Sequence, residues 1–176
     1  MNIRSKSVII TIVLFVIGCS YKDSSQREYF EPYLQEKNEI EINVSCNEKE
    51  SIILGKEYDG CGMQGSGCNY FIVKNHKNIE YRKPAILRSW SDIENAKKNI
   101  DSKLLDSIEK KQLNDNFFAI IIIHYVGYQN LDNEKIYSKN AKAYFAYELW
   151  DFKSNIPSPM CAYSSLYVLK LKKNNF

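Results

Sequence analysis

FFAIIIIHYVG, residues 117–127, is the stretch on which the fold turns. It is apolar at odd and even positions alike, so a strand built from it must be covered on both faces, as a central strand is. Period alone does not separate such a run from a buried helix, but its β-branched content and the closing Gly127 favour a strand. Two more strands follow it, AKAYFAYELWDF (141–152) and AYSSLYVLKL (162–171), with a Pro and Ser turn region, KSNIPSPM, between them. Tyr144, Tyr147 and Trp150 are placed to fill the two faces of the first of these. Upstream, EIEINVSC (39–46) alternates Ile40, Ile42, Val44 and Cys46 with polar residues, the period of a half-buried strand. Shorter strands are predicted over 51–54, 70–73 and 85–88, Pro84 marking an edge or an entry. One signal is helical: in SWSDIENAKKNIDSKLLDSIEKKQL, residues 89–113, Ile93, Ala96, Ile100, Leu104 and Ile108 recur at helical spacing. Ser91 with Glu94 makes a capping box there, and the segment is one helix or two joined near Asp101. The predicted class is α+β: a mostly antiparallel sheet curled into a sandwich or open barrel, with one central helical segment.

The N-terminal segment has another character. Arg4 and Lys6 precede VIITIVLFVIGCSYKDSSQ (8–26), in which every residue from Val8 to Ile17 except Thr11 is aliphatic or aromatic. That is the basic and apolar order of an export signal. It is too short to span, since a membrane helix needs about 20 apolar residues. The end of the run, Val16-Ile17-Gly18-Cys19, resembles the lipobox of bacterial lipoproteins. The resemblance implies cleavage before Cys19, a diacylglyceryl group on its thiol and acylation of the new amino terminus. Lipid at Cys19 would be the only attached group, with no cofactor expected. Two or more acyl chains hold a protein stably at a bilayer where one does not. Ser20, where an Asp would suggest inner-membrane retention, favours the outer membrane or cell surface by analogy with lipoprotein sorting. The predicted organisation is a signal peptide over 1–18, a lipidated Cys19 and polar tether over 19–38, and one α+β domain over 39–176. Fully extended, the tether would reach about 60 Å from the lipid.

Composition removes nucleic acid as a partner. Without residues 1–18 the chain carries 22 basic and 21 acidic side chains, and its lysine pairs read as solvated charges rather than a phosphate-binding stripe. Once Cys19 carries lipid, Cys46, Cys61, Cys68 and Cys161 remain, an even number that in an exported protein points to two disulfides with three connectivities open. The preferred pairing is Cys61 with Cys68, across the Gly-rich CGMQGSGC, and Cys46 with Cys161, tying an early strand to the last. A closure that long is worth about 4 to 5 kcal/mol in the chain-entropy model.

Groups for catalysis are sparse. His76, in the polar KNHKN, reads as a solvated turn residue, and His124, inside the apolar strand, as a hydrogen-bonded core residue without a Ser or Cys nucleophile motif. The sharpest alternative is a soft-ligand metal or enzymatic site from Cys61, Met63, Cys68 and His76, suited to Cu(I). Against it stand the absence of paired-ligand spacing and the oxidising compartment, and the expectation is no metal and no enzyme. Asp132 with Glu134, and Glu148 with Asp151, lack a partner that would separate their acidities for glycoside chemistry.

Taken in order, SGC (66–68), ILRSWSDI (86–93) leading into a helix, FFAIIIIHYVGY (117–128) and MCAYSSLYVLKLKK (160–173) resemble the PrcB family, small bacterial lipoproteins associated with a surface protease complex. The likeness runs over about residues 51–172. Trp90 with the following helix, and Gly127-Tyr128, carry it best, although the family more often has a second Gly where this chain has Val126. It implies a noncatalytic accessory or scaffold that binds another envelope or surface protein, a protease among the candidates, with Gly127 and Tyr128 as partner contacts. Thirteen Tyr and two Trp in 176 residues are consistent with such a surface, since these side chains give large rigid contact area. The bland alternative is a structural surface lipoprotein without a dedicated ligand.

Overall fold

The computed structural model describes residues 31–60, 71–78, 80–126, 129–153 and 162–174. The expectations on Cys19, on the Cys61–Cys68 loop, and on Gly127, Tyr128 and Cys161 fall outside them.

The run that opened the sequence reading is β6, Asn116–Val126, and it lies inside a four-stranded sheet. That sheet also holds β2 (Cys46–Gly60), β9 (Ala162–Lys173) and β4 (Ala85–Leu87), in the order β2-β9-β6-β4. A second sheet holds β1 (Glu31–Ile42), β8 (Lys142–Lys153) and β7 (Asn130–Lys139), in the order β1-β8-β7. Every pairing is antiparallel. Ala119, Ile121, Ile123 and Tyr125 of β6 pack with Tyr167, Leu169 and Leu171 of β9 against Phe145, Tyr147 and Leu149 of β8. The even residues Phe118, Ile120 and Ile122 belong to a second core with Ile93, Ile100 and Leu105 from the other side. Alternation of side chains at period two thus makes an all-apolar strand the middle layer of three.

The mostly antiparallel, sandwich-like β fold agrees with the sequence, while the helical part is smaller than expected. Helix α1 is Trp90–Asn99, a single helical turn α2 is Lys103–Asp106, and β5, Ile100–Ser102, separates them and pairs with β3, Phe71–Val73. The break falls where the sequence offered one, near Asp101, because Ile100 and Ser102 take up register with Val73 and Phe71. Ser102 then caps α2, its hydroxyl accepting from the Leu105 amide at 3.1 Å. The cap of α1 is two residues earlier than predicted: Ser89 accepts from the Asp92 amide at 3.2 Å, and the Asp92 carboxylate accepts from the amides of Ser89 and Arg88. Ser91 lies inside the helix, and Glu94 instead accepts from the Trp90 indole at 2.9 Å.

Three strands differ from expectation for identifiable reasons. β1 begins at Glu31, inside the stretch read as tether, because 31–38 pairs along β8 although only its later residues, Ile40 and Ile42, reach the core. β2 is fifteen residues long rather than four, and its charged half is accommodated by specific partners for Lys56 and Glu57. β7 went unread because, as an edge strand, it buries only Leu131 fully and is bulged between Asp132 and Lys135, with Asn133 at a φ of 54°. A two-residue turn at Asn140 and Ala141, both at positive φ, joins it to β8.

Candidate functional site

β4 is only three residues long and covers Phe118 to Ile120 of β6. Past it, the strap before β4 takes over, the Arg82 amide donating to the Ile122 carbonyl at 2.7 Å with Arg82 at a φ of 59°. Between this strap, the short strand and α1 lies a groove of about 390 Å³. Leu87, Ile100, Ile120 and Ile122 form its apolar floor, Ala96 flanks it, and Lys83, Asp92 and Asn95 contribute polar groups. Its charged groups are already engaged. Lys83 pairs with Glu80, and Asp92 is consumed by the helix cap. The Ser89 hydroxyl, joined by the Arg88 and Ser89 amides, holds the Asp92 carboxyl below its usual range against the opposing effect of burial. The groove therefore offers shape and apolar area rather than a poised acid or base. Trp90 opens the helix on its wall, with Lys97 over its ring at 5.4 Å.

A second polar constellation joins the two sheets along one side. Lys56 of β2 reaches Glu134 of β7 at 2.8 Å and the Leu131 carbonyl at 3.2 Å, and the buried Tyr167 hydroxyl donates to the same Glu134 oxygen at 2.7 Å. Burial works to raise the Glu134 carboxyl, but the hydrogen bonds from Lys56 and Tyr167, with the charge of Lys56, leave it below its ordinary value. Burial and the hydrogen bond to Glu134 push the Tyr167 phenol far up, so it stays a proton donor. This clasp escaped the sequence reading because half of it sits on the unrecognised β7. On the other face of β2, Glu57 is fully buried and one of its oxygens accepts from the Leu104 amide at 3.1 Å.

The two histidines are near one another through Tyr81. His76 Nδ1 is 3.3 Å from the Tyr81 hydroxyl, and the Tyr81 ring lies 5.3 Å from the His124 ring. His124 is exposed, contrary to the core placement expected, because among the described residues the core beneath the helices takes in β6 only as far as Ile122; its Nδ1 contacts the Ser164 hydroxyl at 3.0 Å. Of the soft-ligand set, only His76 is described. Among the described residues no three His, Cys, Asp or Glu side chains gather as a metal site, and no helix is long and apolar enough to cross a membrane.

The pairing expected between Cys46 and Cys161 involves a residue outside those described. Cys46 itself is a free, buried thiol in register with Lys173. Comparison of the chain with family models, with curated proteins and with solved structures finds no match.

Proposed function

We propose that this chain is a bacterial lipoprotein, held at the cell envelope by lipid on Cys19, whose sandwich is a noncatalytic accessory that binds another envelope or surface protein. The groove beside α1 carries the binding part of this reading: an apolar floor, a polar rim and charged groups already engaged suit an apolar side chain or short segment of a protein partner. The envelope address stands on the apolar run that stops at Gly18-Cys19. The choice of a protease complex as partner class stands on the PrcB resemblance.

Capture from envelope extract on the lipidated chain, with identification of what is retained, tests it. Ala96→Trp fills the groove from the helix side and is expected to reduce retention of the partner by about tenfold or more, the scale of a blocked central contact. Equal retention by that variant, or no retained protein with the wild type, overturns the proposal.

A further inference from the structure

Strand directions sort the sandwich into two unlike ends. At one end β1 starts: Glu31 is beside Lys153, Asn130 beside Trp150, and across in the other sheet Gly60 and Tyr125 both pair with Tyr163. At the opposite end Lys139 pairs with Lys142, and Lys172 and Lys173 pair with Asn116 and Cys46. Among the described residues five large apolar side chains are exposed, and three of them, Tyr33 (40%), Leu34 (38%) and Tyr81 (39%), are at the end where β1 starts. Trp150 lies half-buried beside Leu34 in the register, and the Tyr163 ring stacks on Tyr125 at 5.8 Å. Two of the nearby ion pairs are Lys37 with Glu148 at 3.0 Å and Lys83 with Glu80. Among the described residues the far end is thus lysine-rich, and the near end presents aromatic and aliphatic groups.

We infer that the end bearing Tyr33, Leu34, Trp150 and Tyr81 rests on the lipid surface, so that the body is oriented on the membrane as well as tethered to it. The inference deepens the proposed function and rests on its lipidated Cys19. Eleven residues, Ser20 to Phe30, separate that cysteine from Glu31, and their full extension of about 40 Å brings the chain from the bilayer to this end first. Tethering at that length keeps the surface at a high effective concentration beside the lipid, so a contact too weak to hold a free protein suffices. Tyr and Trp rings, with an apolar body and a polar edge, favour the headgroup boundary. The lysine-rich end then points to the aqueous phase.

The two tryptophans supply the test, because Trp90 stands next to Arg88 and Leu87, towards the opposite end, and Trp150 at the proposed contact. The full lipidated chain is placed in phosphatidylcholine vesicles with and without bromine near the headgroup end of the acyl chains, as Trp90→Phe and as Trp150→Phe. Trp150 emission is expected to fall about twofold or more with bromine while Trp90 emission is unchanged, and Tyr33→Ser with Leu34→Ser, both at exposed positions, should remove most of the quenching. Equal quenching of the two, or none, overturns the inference. Mass measurement of Cys19 in the same sample separates the premises: lipid present without selective quenching removes only the orientation, and a bare Cys19 with Trp150 still quenched removes only the anchor.

Discussion

Tyr167→Phe isolates a single hydrogen bond in the clasp between the sheets. The substitution keeps the ring, which packs on Phe145 at 4.8 Å, and deletes only the hydroxyl that donates to Glu134 at 2.7 Å. A hydrogen bond to a charged group contributes about 1.5 to 3 kcal/mol, and one between neutral groups about 0.5 to 1.5 kcal/mol. Glu134 keeps Lys56 and is 20% exposed, so water compensates in part and the lower figure applies, about 1.5 kcal/mol. In a Glu134→Gln background the same deletion removes a neutral bond, so the two substitutions should couple by about 0.5 kcal/mol. With a urea slope of about 2 kcal/mol/M, Tyr167→Phe should lower the unfolding midpoint by about 0.7 M without altering the slope. The pH dependence has a definite sign. Because Glu134 is held below its ordinary value in the fold, the unfolded chain takes up the proton first, and the stabilisation is full above about pH 4.3 and lost as pH falls through the lower folded value. Glu134→Gln should flatten that part of the acid limb. A midpoint shift under about 0.2 M, or the same shift in both backgrounds, would refute the assignment of a charge-assisted bond between Tyr167 and Glu134.

Two further outcomes follow from the fold. Ser89→Ala removes the hydroxyl at the start of α1 and should destabilise by about 1 kcal/mol in urea unfolding, whereas Ser91→Ala, at the position the sequence favoured, should change stability by less than about 0.5 kcal/mol. Cys46, 7% exposed in the core, should resist a thiol reagent in the native protein and react fully in denaturant without prior reduction; a requirement for reductant would show that it is disulfide-bonded after all.

Local pattern settled much of this protein. The unbroken apolar run of β6 announced a strand with two covered faces, the alternation from Ile40 to Cys46 announced which side chains face the core, and the apolar stretch that stops at Cys19 raised the question of lipidation independently of the fold. These are statements about neighbours along the chain, where period and composition act directly. What needed the tertiary structure was every feature made by residues far apart. Edge strand β7 lacks a strong pattern because water and a single neighbour satisfy most of it; Lys56 and Glu134 are 78 positions apart, and their partnership exists only because β2 and β7 come alongside each other. The groove likewise arises from a mismatch in length between β4 and β6, and His124 is solvent-facing because among the described residues the core beneath the helices takes in β6 only as far as Ile122. Side-chain period is fixed by the geometry of one residue after the next, whereas strand register and layer coverage are decided by the collective packing of segments that no local window contains.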